Sequence, residues 1–251
     1  MTPTRVVALG ASNLTRALYT VVSTARSQWT RDIEFVSALG LGRSYGIKSS
    51  ILGRAVPGIL ESRLWNQLEA MPPSPAVGLI TDVGNDIMYN IEVPQILEWV
   101  QESVNRLERH TAAITIAGLP VEGGRRLAEW QFMWLRRVLV PSCRLTHEEL
   151  RQRALQVNDG LRTIARERGH RFVELDSAWY GLDPIHIRYT HWQTAWSRIL
   201  GVDEKPVWRG SIVEGVGLHL RRPEQQWLFG REMRRRQQGA PLSGGGRVWL
   251  Y

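Results

Sequence analysis

The chain has 251 residues, of which 43% are hydrophobic and 22% charged, and its formal net charge is +8 at pH 7. These fractions are typical of a globular protein and exclude an intrinsically disordered chain, a collagen-like repeat and a disulfide-rich miniprotein. No apolar run reaches the ~18 residues that a membrane-spanning helix needs, and the first residues lack the pattern of a secretory signal. The single cysteine, Cys143, cannot form an intramolecular disulfide, so we expect a cytoplasmic protein without a membrane partner.

The basic residues are spread along the chain and interleaved with acidic ones, and their densest run is Arg234 to Arg236. A net positive field favours anionic partners in general. However, the basic residues form no stripe interleaved with aromatic side chains, and no nucleic-acid-binding motif is present. We therefore expect a solvated arginine-rich surface and no nucleic-acid partner.

Short β-branched or apolar runs alternate with longer helical stretches over residues 5–200. The predicted strands cover Arg5 to Leu9, Ile33 to Leu39, Val77 to Val83, Ala112 to Ala117 and Arg171 to Leu175. The predicted helices cover Leu14 to Arg26, Ile59 to Ala70, Pro94 to Arg109, Arg125 to Val140, Thr146 to Arg168 and Thr190 to Leu200. Thr146 and Glu149 have the spacing of a capping box.

Five strands separated by helices predict a parallel sheet covered on both faces, that is, a three-layer α/β/α sandwich with a five-stranded sheet. Residues 1–200 form this domain. Residues 201–251 do not follow the alternation, and fifty residues alone are marginal as a separate domain. We therefore expect an irregular C-terminal extension packed on the same domain, with a short hairpin within it as an open alternative.

Ligands of such sheets bind outside the carboxyl ends of the strands, so the residues that follow each strand are the candidates for chemistry. Ser12 follows the first strand at a strand-to-helix turn, where its hydroxyl and N–H face the cleft. A glycine-rich loop follows the second strand, and Asn85 follows the third, where its amide can donate to an oxyanion. Asp183 and His186 follow the fifth strand, three residues apart, as an orienting carboxylate and its imidazole.

Each of these pieces also has a plain structural interpretation. Ser12 alone suits an ordinary helix N-cap, the glycine-rich loop an ordinary strand-to-helix turn, and Gly84-Asn85-Asp86 a turn. Asp183 and His186 alone suit a surface turn. Their joint placement, each at the carboxyl end of a different predicted strand, is what indicates a serine-based catalytic site.

The four pieces resemble the motifs of the SGNH hydrolases, also called the GDSL esterase/lipase family. Gly10-Ala11-Ser12 resembles the first motif, Gly42 (with Gly40 as the weaker match) the second, Val83-Gly84-Asn85-Asp86 the third, and Asp183-Pro184-Ile185-His186 the last. The resemblance covers about residues 5–200. Two positions depart from it, since Ala11 replaces the usual Asp and Val83 the usual Gly.

The resemblance implies a flavodoxin-like fold and hydrolysis of a small acyl ester, short-chain or acetylated carbohydrate, without a metal or an organic cofactor. It implies Ser12 as nucleophile, His186 as base and Asp183 as its orienting group. The Ser12 N–H, the Gly42 N–H and the Asn85 amide would then form the oxyanion hole.

Three more side chains are candidate substrate contacts. Arg43 adjoins Gly42, and Trp179 and Tyr180 lie just before the Asp183–His186 turn. The sequence favours a surface position for Arg43 and is equally compatible with Trp179 and Tyr180 in the core, so both alternatives stay open.

Other kinds of site are less favoured by the sequence. Cys143 has no partner placed to activate it as a nucleophile, and His186 and His191 lack the further ligands of a zinc motif. The main alternative is a catalytically silent binding protein of the same fold that takes a polyanion or a carbohydrate.

Overall fold

The computed structural model describes residues 4–29, 32–121, 143–202, 211–236, 239–243 and 245–251. The strands in these residues are β1 (Arg5–Leu9), β2 (Glu34–Ala38), β3 (Ser49–Ile51), β4 (Arg54–Val56), β5 (Ala76–Ile80), β6 (Ala113–Ala117), β7 (Arg171–Val173), β8 (Gln225–Leu228), β9 (Arg231–Arg234), β10 (Ala240–Pro241) and β11 (Arg247–Leu250). The helices are α1 (Ser12–Arg16), α2 (Leu18–Gln28), α3 (Leu64–Ala70), α4 (Asn85–Met88), α5 (Val93–Glu108), α6 (His147–Glu167), α7 (Trp192–Leu200) and α8 (Ile212–Leu220).

The central sheet has seven strands within the described residues, in the order β10-β11-β2-β1-β5-β6-β7. The five predicted strands are all present in it as β2, β1, β5, β6 and β7, and neighbouring members pair in parallel. Their order is that of a flavodoxin-like sheet, in which the switch point lies between the first strand and the third in sequence. That point falls between β1 and β5, so the carboxyl ends of these two strands are where a ligand site is expected.

Helices cover both faces of this sheet, as the α/β/α prediction requires. One hydrophobic core lies between the sheet and α3, α5 and α6, with Val100 and Leu161 fully buried in it. The other lies between the sheet and α2 and α7, with Val21 and Trp196 fully buried. All five residues of β1 are buried, because neighbouring strands and both helix layers enclose it.

The prediction of an irregular C-terminal extension is wrong in part. β11 pairs in parallel with β2, and β10 pairs with β11, so the end of the chain adds two strands to the central sheet and makes it seven-stranded rather than five-stranded. The short β8–β9 hairpin extends a second sheet, of order β3-β4-β8-β9, whose other two strands come from the loop after β2. Sequence periodicity missed these strands because each has only two to four residues.

Two predicted helices differ at their boundaries. The stretch from Leu14 to Arg26 is divided into α1 and α2 at Ala17. The helix predicted from Ile59 begins only at Leu64, since the chain before it forms tight turns in which the N–H groups of Glu61 and Ser62 donate to the carbonyls of Gly58 and Ile59. The capping box of Thr146 and Glu149 is confirmed at the start of α6. The helix predicted over residues 125–140 lies outside the described residues.

Among the residues that the structure describes, no helix is both long enough and apolar enough to cross a membrane.

Candidate active site

Ser12 is the first residue of α1 and follows β1 after a tight turn. A Cβ at Gly10 would lie 2.6 Å from Cγ2 of Thr81, so only glycine lets the turn approach the end of β5 this closely. The N–H groups of Ala11 and Leu14 both donate to Oδ2 of Asp82, at 2.8 and 3.2 Å. This carboxylate fixes the backbone on either side of Ser12, which is itself only 8% exposed.

Asp82 is a site residue that sequence reasoning did not single out. It follows β5 and has a positive φ of 61°, a strained conformation for a residue with a side chain. The contact with Ala11 joins positions 71 residues apart, so no local pattern in the sequence could have signalled it. The family resemblance showed that Ala11 stands where an aspartate is usual. In the structure, the carboxylate of Asp82 lies beside the N–H of Ala11.

His186 and Asp183 form the predicted pair, because Nδ1 of His186 lies 2.7 Å from Oδ2 of Asp183. The other oxygen, Oδ1, accepts the N–H groups of Ile185 and His186, both at 3.2 Å. Partial burial acts to raise the pKa of Asp183, but the hydrogen bonds from His186 and the two backbone N–H groups hold it below the usual value. The carboxylate is therefore ionised near neutral pH and can only accept, so Nδ1 carries the proton in the neutral tautomer of His186, and the lone pair lies on Nε2.

The loop after β2 is shaped around Gly42, which has a φ of +62°. A Cβ there would lie 2.0 Å from Cδ1 of Ile51 on β3, so both the backbone angle and the available space require glycine. The carbonyl of Gly42 accepts the hydroxyl of Tyr89 at 2.6 Å. The amide Nδ2 of Asn85 donates to the carbonyl of Arg43 at 3.3 Å, so the Asn85 amide lies against the Gly42–Arg43 segment.

Asp86 is fully buried beneath the loop after β2 and binds it through its carboxylate. Its carboxylate accepts the hydroxyl of Ser44 and, at 3.0 Å, the N–H of Tyr45. Burial raises the pKa of Asp86 to about 6, although these two hydrogen bonds act in the opposite direction. Asn85 and Asp86 therefore attach the loop after β2 to the end of β5.

The predicted substrate contact at Arg43 is wrong. Arg43 is fully buried, and its guanidinium donates to the carbonyls of Pro57 and Leu39, both at 3.0 Å, and to the carbonyl of Tyr251. Burial lowers the pKa of Arg43 to about 9. The side chain joins the loop to the end of β11 and does not face a substrate.

The two aromatic candidates have different positions. Trp179 is 4% exposed, belongs to the core between the sheet and α7, and has the guanidinium of Arg198 over its ring. It is therefore a core residue rather than a wall of the site. Tyr180 lines the candidate pocket, and its hydroxyl is buried without a hydrogen-bond partner among the described residues.

A cavity of about 150 Å³ opens at the carboxyl ends of β1 and β5. Its polar end includes Ser12, Asn13, Asp82 and Asn85, while Pro184 and Ile185 bring the loop of His186 to its edge. Apart from His147 and Arg151 of α6, the rest of the wall is mainly apolar: Val83, Ile87, Met88, Leu119, Pro120, Val121, Leu150, Ala154, Leu175 and Tyr180. The structure thus brings Ser12 and Asn85 to one pocket, beside the turn that holds the Asp183–His186 pair.

Cys143 is buried in the core beside α5 and α6. His191 interacts with Arg188 on a surface turn. In the part of the chain that the structure describes, no group of three or more His, Cys, Asp or Glu is arranged to hold a metal ion.

No protein-family model and no curated protein sequence matches the chain. Solved structures do match its fold. A member of the lipolytic protein G-D-S-L family from Veillonella parvula aligns over 80% of this chain and 98% of its own, with a TM-score of 0.51 and 10% identity. A mutant of an acetyl-xylooligosaccharide esterase from Geobacillus aligns over 79% and 94%, with a TM-score of 0.51 and 14% identity.

A third match is LAE5, an alpha/beta hydrolase enzyme from the metagenome of Lake Arreo, Spain. It aligns over 78% of this chain and 93% of its own, with a TM-score of 0.50 and 14% identity. At identities of 10–14%, these likenesses concern the course of the backbone rather than the side chains. The sheet order, the placement of the four motif loops and these neighbours together identify the fold of this chain as that of the SGNH, or GDSL, hydrolases.

Proposed function

We propose that this protein is a serine esterase that hydrolyses a small acyl ester through an acyl-enzyme. The observation that carries the proposal is the single pocket in which Ser12 and Asn85 meet, with the loop of the Asp183–His186 pair forming its edge. A nucleophile and an amide donor in one cavity, with an oriented base on the loop at its edge, are the parts that acyl transfer requires. The fold, shared with solved esterases, agrees with this assignment.

In the proposed reaction, Nε2 of His186 removes the proton of the Ser12 hydroxyl while Oγ attacks the ester carbonyl carbon. The imidazolium that forms is stabilised by the ionised Asp183 at Nδ1. The carbon–oxygen bond to the alcohol then breaks, and the leaving oxygen takes the proton from Nε2. A water molecule, deprotonated by the same nitrogen, attacks the acyl-enzyme and releases the acid and free Ser12.

The negative charge on the carbonyl oxygen needs preorganised donors. We assign this role to the N–H groups of Ser12 and Gly42 and to the Asn85 amide. The interaction of Asn85 with the Arg43 carbonyl, at 3.3 Å, uses one hydrogen of Nδ2 and leaves the second free to donate to the oxyanion.

The wall of the pocket supports an apolar acyl group on the substrate. Leu119, Leu150 and Ala154 offer no hydrogen-bonding side chain to a polar acyl part, and burying an unpaired polar group would cost free energy. The cavity volume of about 150 Å³ fits a short chain rather than a long lipid. We therefore propose a short-chain ester as the substrate, with acetylated carbohydrate esters as the second class to test.

The test is a panel of chromogenic esters, from acetyl to octanoyl and including acetylated xylose, on wild type and Ser12→Ala. Ser103→Ala is the matched control, because Ser103 is a buried serine of α5 that donates to its own helix. We expect Ser12→Ala to lose roughly 10⁴-fold or more in kcat and all labelling by a fluorophosphonate, and Ser103→Ala to keep both. Equal rates for wild type and Ser12→Ala would refute the proposal, and salt-dependent heparin binding without turnover would favour the binding protein instead.

A further inference from the structure

We infer that Asn13 is a positioning residue that fixes the backbone of His186 relative to the Ser12 turn. This inference rests on the proposed esterase function. Asn13 directly follows Ser12, yet its side chain contacts the backbone 172 and 174 residues further along the chain.

One amide group holds the main chain on both sides of His186. The N–H of Ile187 donates to Oδ1 of Asn13 at 2.8 Å, and Nδ2 of Asn13 donates to the carbonyl of Ile185 at 2.9 Å. The orientation of the amide is determined by its neighbours, because a backbone N–H can only donate and a carbonyl can only accept. The peptide units that flank His186 are therefore held by one rigid planar group.

The second hydrogen of Nδ2 links this group to the end of β5. It donates to Oδ1 of Asp82 at 2.8 Å, while Oδ2 of Asp82 accepts the N–H groups of Ala11 and Leu14. Asp82 and Asn13 thus connect the loops that follow β1, β5 and β7. The connection fixes the nucleophile turn and the histidine turn against the same carboxylate.

Asp183 makes a weaker connection to the same helix, since its ion pair with Arg16 of α1 is long, at 4.0 Å, and joins two side chains that are 43% and 45% exposed. Its hydrogen bonds to His186 and Ile185 lie within its own turn, and its side chain is 45% exposed. The turn is also exposed at Leu182, which is 84% accessible. Asp183 orients the imidazole within the turn, whereas Asn13 places that turn beside Ser12.

The chemistry at position 13 requires a short side chain with two donors and an acceptor on one plane. Alanine removes all three hydrogen bonds, and aspartate keeps the acceptor but loses both donors. A displacement of about 1 Å between base and nucleophile can cost about 10²-fold in rate, because proton transfer depends on their alignment. Substrate binding in the apolar part of the pocket does not involve Asn13, so the loss should fall on kcat rather than on KM.

The first experiment compares Asn13→Ala with Asn105→Ala on the chromogenic ester that wild type hydrolyses best. Asn105 lies near the carboxyl end of α5, shortly before β6 and so at the amino ends of the strands, away from the pocket, and its amide interacts with Arg168. We expect Asn13→Ala to lose about 10²-fold in kcat with KM within threefold of wild type, and Asn105→Ala to keep both. A kcat of Asn13→Ala within threefold of wild type would overturn the inference.

The second experiment exchanges the two partners. In Asn13→Asp two carboxylates face each other. In Asp82→Asn two amide donors face each other, because the oxygen of the introduced amide must still accept from Ala11 and Leu14. The double variant Asn13→Asp/Asp82→Asn restores one hydrogen bond with its direction reversed. We expect the kcat of the double variant to exceed that of either single variant at least tenfold. If the losses in kcat of the two single variants simply multiply in the double variant, the connection between Asn13 and Asp82 is contradicted.

An NMR measurement separates this inference from the esterase proposal, because it needs no turnover. We expect the backbone amide of Ile187, which donates to Asn13, to be protected from hydrogen exchange in wild type and in Asn105→Ala, and to lose that protection at least tenfold in Asn13→Ala well below the unfolding temperature. Unchanged protection of the Ile187 amide in folded Asn13→Ala would overturn the positioning role. If wild type hydrolyses no ester and Ser12 takes no label, the esterase proposal fails, while hydrogen exchange at Ile187 still decides the role of Asn13.

Discussion

The carboxylate of Asp82 accepts the backbone N–H of Ala11 at 2.8 Å and so fixes the turn that carries Ser12. The same residue has a φ of +61°, so its backbone is strained in order to bring the carboxylate to that turn. The strain predicts different stabilities for the alanine and glycine variants of Asp82, whereas the lost hydrogen bonds predict the same loss for both.

Asp82→Ala keeps the strained backbone and loses the carboxylate, whereas Asp82→Gly loses the carboxylate and relieves the strain. We expect Asp82→Gly to be more stable than Asp82→Ala by about 1 kcal/mol, because glycine adopts positive φ at little cost. Both variants should lose esterase activity to a similar extent, since the N–H groups of Ala11 and Leu14 have lost their acceptor. Urea unfolding and kcat measured on the same samples test this, and equal stabilities would contradict the role of strain.

Gly42→Ala should destabilise the protein by about 2–4 kcal/mol, because a Cβ there meets both an unfavourable φ and the side chain of Ile51. Gly169→Ala is the matched control, since Gly169 has a φ of +68° but no atom within 4 Å of the added Cβ. Gly169→Ala should lower the free energy of unfolding by only about 1 kcal/mol, the part that comes from the unfavourable φ.

The Ile51→Ala background tests the two contributions at Gly42 separately. Removing the Ile51 side chain should bring the cost of Gly42→Ala close to that of Gly169→Ala, because the φ contribution and a milder contact of the added Cβ with the Tyr89 hydroxyl, at 3.0 Å, are left. Chemical denaturation of the four variants measures this coupling. A cost for Gly42→Ala that does not depend on Ile51 would show that the loop shifts rather than collides.

Asp86 predicts a specific pH dependence of stability. Its pKa in the folded protein is about 6, above the usual 3.8, so the folded state binds the proton more tightly than the unfolded state. Its contribution to the free energy of unfolding is therefore largest below pH 4 and is lost as pH rises through 6, by about 3 kcal/mol in total.

Two variants test this titration by unfolding measurements between pH 4 and 7. Asp86→Asn should remove this decline in stability, because it has no titrating proton. Ser44→Ala should move the decline to higher pH, since the Ser44 hydroxyl stabilises the ionised carboxylate. A decline of the same size and midpoint in all three proteins would assign it to other groups.

The apolar wall of the pocket predicts a change in acyl-chain preference. Ala154→Trp on α6 should fill the cavity and lower kcat/KM for a hexanoyl ester at least tenfold relative to an acetyl ester. Gln156→Trp places the same side chain on the exposed face of α6 and serves as the control. An unchanged ratio of hexanoyl to acetyl hydrolysis in Ala154→Trp would show that the acyl group binds elsewhere.

The sequence determined the parts of this protein that depend on local pattern. Apolar runs and helical spacing predicted the five parallel strands and the layers around them, because burial on both faces of a sheet and on one face of a helix leaves that periodicity. Thr146 and Glu149 predicted the start of α6, since a capping box lies within one turn. The contact between Asp183 and His186 was also predictable, because the two residues are only three positions apart in one turn.

What only the tertiary structure decided depends on residues far apart in the chain. The sequence favoured a surface position for Arg43, and this prediction is wrong, because carbonyls of three separate segments converge on its buried guanidinium. β11 joins β2 and Asp82 reaches Ala11 across 71 residues, and neither pairing leaves a periodic trace. Long-range hydrogen bonds form only after the strands have brought their loops together, so the side chains that join those loops could not be read from local sequence.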